Sequence, residues 1–392
     1  MSREPLFTRR FAALWLFQFF TFFAAFQLFP AIPLRILELG GTTAAAGSFL
    51  AVYTFASAFS APMTGTIADR IGRRRMLVIA SVLFIAFSVA YGLVQWLPLL
   101  LLIGVVHGSI WSGILSSASA LMTEFIPVSR RTEGLAYWGL APTTAIAVAP
   151  AIGLLVYRWG WLTLCLELAL LSCCTALWGM RLPGLDARSA RELPRVHELW
   201  DWSVVKATLS LAVVNFGYGG ITSYVVILSH QRGITPDSLF FTSFTLTIIV
   251  VRVFTSRLGD RFGPKVLLYP AFAAMPVSFA LLARASDRTE LVASAILFGL
   301  GIGASMPAFM TFIVTHTDEA QRGRTFGSMV WAIDTGIGVG SLITGAIGQR
   351  YGLGTAFAAA AALSCLAIPI FIAASRGVRG TAVAPAAEHA GT

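Results

Sequence analysis

The chain has 392 residues, of which 57% are hydrophobic and only 12% charged, with a formal net charge of +10 and a mean hydropathy of +0.78. Soluble globular proteins carry about a quarter charged residues, so an ordinary soluble domain or pair of domains is excluded. What remains is a chain of repeated apolar spans of about 20 residues, the length an α-helix needs to cross the hydrocarbon layer of a bilayer.

In chain order, the first such span follows a basic start, "TRRFAALWLFQFF". Its apolar run continues through Phe29 with no small-residue cleavage pattern, so it reads as a membrane helix rather than a removable signal. Hydropathy then predicts twelve spans: 11–34, 43–68, 76–96, 99–126, 134–157, 160–180, 206–230, 238–258, 265–284, 290–316, 324–348 and 354–375. The fold class expected is an all-α integral membrane protein. Residues 1–180 form a first six-helix half, 181–205 a polar linker, 206–376 a second half, and 377–392 an Ala/Gly/Pro-rich tail expected to be disordered.

Charge gives the orientation. All but six of the 28 Lys and Arg fall on one side of this arrangement; the six are Arg35, Arg158, Arg232, Arg284, Arg288 and Arg350. The positive-inside rule then puts both termini in the cytoplasm. It also assigns the net positive charge to the membrane surface, and nothing in the pattern suggests nucleic acid. The four cysteines, Cys165, Cys173, Cys174 and Cys365, all lie in apolar spans at spacings that fit neither a zinc site nor a disulfide framework. They are read as small buried hydrophobes, and no metal or cofactor is expected.

The two halves echo each other. "GTIADRIGRRR" (Gly65 to Arg75) and "SRLGDRFGPK" (Ser256 to Lys265) follow the second span of each half, with Asp69 and Asp260 191 residues apart. "IPVSRRTEG" matches "DEAQRGRTFG", and "YRWGW" matches "QRYGL", at equivalent connections. Corresponding loops in two six-span halves imply a pseudo-twofold axis along the membrane normal and a ligand site near the midplane between the halves.

These residues resemble the major facilitator superfamily, and within it the twelve-helix efflux branch of drug:proton antiporters; the resemblance covers about residues 10–375. Its most specific element is the connection after the second span, where Gly65, Ile67, Ala68, Asp69, Arg70, Gly72, Arg73, Arg74 and Arg75 stand at the positions of the family pattern. Physically, Gly65 and Gly72 permit close packing and a tight turn, and the arginines hold the segment inside. The resemblance implies a conformational latch beyond that. Asp69 meets the start of helix 11 near Arg324, and Arg73 pairs with an acid at the end of helix 4, for which Glu124 is the candidate. Asp260 and Arg252 are its counterparts in the second half. The plainer alternative is a purely topogenic basic loop.

Helix 5 carries "GLAPTTAIAVAPAIG", which resembles the efflux-branch pattern in part: Ala149-Pro150 stands where the family has Gly-Pro, and of the closing glycine pair Gly153 alone matches. Pro150 and Gly153 are assigned to helix packing, with Pro150 expected to kink or loosen the helix. The family's helix 4 arginine is missing, Gly104 occupying its place. His107, with an ordinary pKa near neutrality, either takes part of its proton-handling role or bonds a neighbouring helix. Trp111 lies one turn further on the same face.

Ionisable groups at membrane depth mark functional sites, because they cost several kcal/mol unless paired or wet. Asp334, in "WAIDTGIGVGS", sits near the midplane on helix 11, which lines the central cavity in the family it resembles. The expected role is to bind a proton and substrate in alternation; a helix-packing acid is the alternative. Glu167 on helix 6 is expected to snorkel or to bond another helix, with coupling as the less favoured reading. Helical spacing nominates further cavity residues: Gln18 and Thr21 on helix 1; Asn215, Tyr218 and Thr222 on helix 7; Met306, Phe309 and Met310 on helix 10. Each of these stripes also fits simple core packing. An apolar, aromatic cavity with few polar handles suits a hydrophobic or amphiphilic substrate. With no P-loop and no nucleophile motif, the expected protein is a transporter and not an enzyme: a proton-coupled exporter, acting as a monomer in the cytoplasmic membrane. Proton-coupled uptake or facilitated passage of a sugar or organic acid is the alternative.

Overall fold

A computed structural model describes residues 5–183, 202–262, 264–315 and 322–377. The expected linker and tail fall almost entirely outside these. The helices are α1 (Arg9–Glu38), α2 (Thr43–Ile71), α3 (Arg73–Leu93), α4 (Leu97–Phe125), α5 (Arg131–Tyr157) and α6 (Trp161–Arg181) in the first half of the chain. The second half has α7 (Trp202–Gln231), α8 (Leu239–Phe262), α9 (Pro264–Arg284), α10 (Arg288–Thr315), α11 (Arg322–Tyr351), α12 (Leu353–Ser364) and α13 (Ala367–Gly377). Among the described residues eleven spans are long and apolar enough to cross a membrane, the last being α12 and α13 taken together, and Leu239–Val251 of α8 is a shorter apolar stretch. The chain is an all-α, multi-pass membrane protein.

Several helices run a few residues past the limits that hydropathy sets, and side-chain caps start two of them. Thr8 and Thr42 accept hydrogen bonds from the Phe11 and Ala45 amides at 3.1 and 3.2 Å, starting α1 and α2. The largest correction is at the cytoplasmic connection expected between the second and third spans. It is a single residue, Gly72, at φ +96°. Asp69 and Arg70 therefore lie on the last turn of α2, and Arg73, Arg74 and Arg75 on the first turn of α3. Positive φ makes this position glycine's. Gly65, in contrast, is not demanded by packing: an added Cβ would make ordinary contact with Ser116 at 3.9 Å. The twelfth span, expected as one helix, breaks at Cys365–Leu366. Pro369 is the cause, since it has no N–H for the Cys365 carbonyl and its ring crowds that group. Pro150, expected to loosen α5, sits inside a helix that continues through it to Tyr157.

Packing repeats with a shift of six helices. α1 packs on α5 as α7 does on α11, α2 on α4 as α8 on α10, and α3 on α6 as α9 on α12. Across the halves, α2 meets α11 and α5 meets α8, the exchange a twofold axis requires. We call the side bearing the start of α1 and the end of α13 the termini side, and the opposite one the far side. In lipid no hydrophobic drive holds helices together, so small residues and buried polar contacts must do it. On α7 and α11, a Cβ at Gly219 would strike the Ile337 carbonyl, and one at Gly340 the Phe216 carbonyl.

Gly340→Val is expected to destabilise the protein by about 1–3 kcal/mol, read as a lower melting temperature in detergent. Gly139→Ala, at a position with nothing within 4 Å of the new methyl, leaves it unchanged or slightly raised.

Candidate functional site

Asp334 lies near the middle of α11, about 18 Å along the axis from Arg322. Its Oδ2 accepts a hydrogen bond from the Ser57 hydroxyl on α2 at 3.3 Å, so the two halves meet at this carboxylate. Both groups line a cavity between the halves. α1 contributes Phe26 and Phe29, α2 Leu50, Tyr53, Thr54 and Ser57, α4 Trp111, α7 Tyr218 and Thr222, and α11 Asp334 and Ile337. The cavity holds about 40 Å³ of free space, room for a water or two and far below the several hundred Å³ of a typical ligand pocket. The free space beside the acid is small, and a ligand of ordinary size needs the halves to part.

Closure is built on the far side of Asp334. The Tyr224 hydroxyl donates to the Thr43 carbonyl at 3.0 Å, the Ser341 hydroxyl to the Gly47 carbonyl at 2.8 Å, and the Ala44 amide to Gln349 Oε1 at 3.0 Å. Thr245 on α8 donates to the Ala147 carbonyl on α5. Glycines allow the approach: a Cβ at Gly345 would meet the Tyr224 hydroxyl, and one at Gly338 would come within 2.6 Å of Thr54 Oγ1.

The aromatic wall extends behind the cavity. Trp111 packs edge-on against Phe22, with centroids 4.7 Å apart, and lies 6.3 Å from Tyr53. His107 stands outside the lining. Phe84 at 4.4 Å, Tyr53 at 5.0 Å and Phe87 at 5.0 Å surround its ring, and its Nδ1 lies 3.2 Å from the Tyr91 hydroxyl on α3. That is a histidine bonding a neighbouring helix, with Tyr53 between it and Asp334.

The structure brings Trp111, Tyr218, Thr222 and Asp334 together and leaves Gln18, Thr21, Asn215, Met306 and Phe309 outside the lining. Thr21 donates to the Phe17 carbonyl at 2.8 Å and Asn215 to the Leu211 carbonyl at 2.8 Å, so each is satisfied by its own helix. Gln18 is buried outside the lining. Phe309 belongs to the aromatic core of the second half with Phe312 and Phe371, and Met306 packs beside that core. The side chains of Met310, Arg252, Asp260 and Arg324 lie outside the described residues. Residues not nominated from sequence include Tyr53, Thr54 and Ser57. Their signal was present as a polar stripe, Tyr53, Ser57, Ser60 and Thr64, recurring every three or four residues along α2. Its termini-side part knits α2 to α4, with Ser112 Oγ 3.0 Å from Ser60 Oγ and 2.8 Å from Thr64 Oγ1. No group of three His, Cys, Asp or Glu side chains placed to hold a metal occurs among the described residues.

On the termini side, Arg73 joins three helices. Its Nη1 donates to Glu124 Oε1 on α4 at 2.7 Å and its Nε to Asp69 Oδ1 on α2 at 3.2 Å, with all three side chains partly buried. Arg74 donates to the Met180 carbonyl at the end of α6, where a helix C-terminus favours a cation. Arg70 is exposed. On α5, a Cβ at Gly153 would lie 2.8 Å from the Gln27 backbone, so this glycine sets the α1–α5 contact.

The sequence model of the Major Facilitator Superfamily matches residues 14–235 and 207–390, and the chain belongs to that family. A curated relative, "Multidrug resistance protein MdtG" of Klebsiella pneumoniae (strain 342), is 25% identical over 371 residues, which is 88% of this chain and 88% of that protein. Among solved structures, a POT family transporter in complex with a thioalcohol-conjugated peptide superposes with a TM-score of 0.77 at 14% identity, over 94% of this chain and 96% of that one. A bacterial homologue of the human lysosomal transporter Spinster, inward-facing and unoccupied, gives 0.74 at 14% identity, over 96% and 98%.

Arg73→Ala removes the shared partner of two carboxylates and is expected to cost about 1–3 kcal/mol, seen as a lower melting temperature. Arg73→Lys, which lacks the guanidinium fork, recovers part of the loss. Arg70→Ala, at an exposed position, leaves stability within about 0.5 kcal/mol of the parent.

Proposed function

We propose that this member of the Major Facilitator Superfamily exports hydrophobic or amphiphilic small molecules, cations above all, across the cytoplasmic membrane in exchange for protons. The observation that carries the reading is Asp334, one carboxylate held at the junction of the two halves in a small cavity otherwise lined by aromatic rings, hydroxyls and two aliphatic side chains, Leu50 and Ile337. A lipophilic cation matches such a site. The rings supply apolar area and π-faces, and the acid supplies the charge. A proton on Asp334 removes that charge. Proton and cation therefore compete for one group, which is the condition for exchange. The name carried by the curated relatives, multidrug resistance protein, supports export.

In this reading the termini side is cytoplasmic and the α2–α11 seam is the outer gate, closed here. The cluster of Asp69, Arg73 and Glu124 belongs to the cytoplasmic latch, together with Arg70, Gly65 and Gly72, and with Arg252, Asp260 and Arg324 as the second half's contribution. His107 acts as a positioning residue, fixing Tyr53 and Tyr91, while Tyr53, Trp111, Tyr218 and Thr222 contact substrate. Pro150 and Gly153 serve the packing of α5.

The test uses inverted membrane vesicles energised to acidify their lumen, with a pH-sensitive dye. Adding a lipophilic cation is expected to release lumenal protons in wild type. Asp334→Asn abolishes the response, a loss of at least tenfold in initial rate. Release that persists in Asp334→Asn overturns the role of this acid, and release evoked by sugars but not by cations overturns the substrate class.

A further inference from the structure

A second acid lies at membrane depth, away from the cavity and entirely within the first half. Glu167 stands on α6, about 9 Å along the axis from Trp161, inside the apolar stretch Trp161–Arg181. Its neighbours Leu166 and Leu170 are exposed on the lipid-facing side, while Leu164, Cys165 and Leu168 are buried. Glu167 Oε1 accepts a hydrogen bond from Gln27 Nε2 on α1 at 3.2 Å. Gln27 is fully buried, at 0% exposure.

The remaining two oxygens of this pair are the informative ones. Glu167 Oε2 and Gln27 Oε1 are both buried, and neither has a hydrogen-bond partner among the described residues. Both are acceptors. Lipid offers them no donor. Turning the Gln27 amide over does not help, since it sets an amide oxygen against the carboxylate. In either orientation the donor that is short is a proton. A carboxylic acid and a primary amide can make two hydrogen bonds in one ring, N–H to the acid carbonyl and O–H to the amide carbonyl.

Three titratable groups on the helices packed against α6 are engaged elsewhere, and Arg74 of α3 bonds the C-terminal end of α6 at the Met180 carbonyl. On α1, Arg35 pairs with Glu38 at 3.1 Å. On α5, the Tyr157 hydroxyl donates to Glu38. On α3, the Tyr91 hydroxyl faces His107.

We propose that Glu167 carries a proton and donates it to Gln27 Oε1, so that the two head groups form a closed acid–amide ring clamping α6 to α1. This is a proton site separate from Asp334, and it does not depend on the direction or substrate of transport. One proton from water converts the carboxylate to the acid, and the same proton returns to water when the clamp opens. Gln27 is also the residue whose backbone Gly153 of α5 abuts, and Phe26 and Phe29, on the same stretch of α1, line the cavity. Proton occupancy at Glu167 therefore bears on the seating of a cavity wall.

The experiment is infrared difference spectroscopy of the full chain in lipid nanodiscs, taken between acid and alkaline pH, for wild type, Glu167→Gln and Asp334→Asn. The expected result is a protonated-carboxyl C=O band that disappears in Glu167→Gln and persists in Asp334→Asn. A carboxyl spectrum identical in wild type and Glu167→Gln overturns the proposal. Melting temperature is the second readout, since an amide at position 167 makes the same two hydrogen bonds but cannot ionise. Glu167→Gln is expected to match wild type in acid and to keep its stability in alkali, where wild type loses part of its own. Glu167→Ala melts lower throughout. A Glu167→Gln protein less stable than wild type in acid overturns the ring.

Discussion

The close approach of α2 and α11 on the far side is the contact on which the rest of the structure depends. Two helices in lipid gain nothing from burying leucine against leucine, because the tails of the lipid are as apolar as the side chains. They hold only where backbones can come near enough for polar groups to meet. Gly338 and Gly345 on α11 and Gly47 on α2 give that access, and Tyr224 and Ser341 use it to reach carbonyls at Thr43 and Gly47. Among the described residues the seam runs as far as Ser57 and Asp334. The carboxylate thus belongs to the zipper, and opening the zipper changes its surroundings at once. α2 also carries Asp69 at its other end, bonded to Arg73 across the one-residue turn at Gly72. A single helix, α2, therefore joins the seam, the acid's hydroxyl partner and the basic cluster of the opposite surface.

Much of this was legible in the sequence because the membrane imposes coarse rules. Length and hydropathy locate the spans, Lys and Arg sort the connections, and a lone Asp in "WAIDTGIGVGS" stands out against the cost of burying it. The finer features follow from local chemistry that hydropathy averages away. Thr8 caps α1 and starts it ahead of the expected span, while the Thr42 cap starts α2 where hydropathy places it. Pro369 breaks the last span at the residue four before it, a rule that can be applied to the sequence but was masked by unbroken hydrophobicity. Asp69 and the arginines around Gly72 read as a loop and are helix ends, since one glycine at positive φ is all the turn requires.

The nominated cavity residues divide for a similarly physical reason. Helical spacing says which side chains share a face, and not which face meets the other half. Thr21 and Asn215 satisfy themselves on the preceding turn, as small polar residues in membrane helices can. Phe309 fits the second half's own aromatic core. Tyr218 and Thr222 reach the cavity because α7 packs beside α11 at the axis. Tyr53 and Ser57 belong to a polar stripe in the middle of α2 that ends at Thr64, before the motif at the helix's end.

The two buried acids differ in what holds them, and that difference bears on how a transporter of this fold divides its work. Asp334 takes its hydrogen bond from the opposite half, so its environment must change whenever the halves move. Glu167 takes its hydrogen bond from α1 within the same half, so a rigid rocking of one half against the other leaves the pair intact. In the exchange proposed above, a proton at Asp334 meets the conformational cycle directly. A proton at the second is exposed to it only if α1 shifts within its own half, against α5 at Gly153 and α6 at Glu167. Coupling between sites requires an element whose position both can bias. α1 is placed to be that element, because one of its faces lines the cavity with Phe26 and Phe29 while Gln27 bonds Glu167.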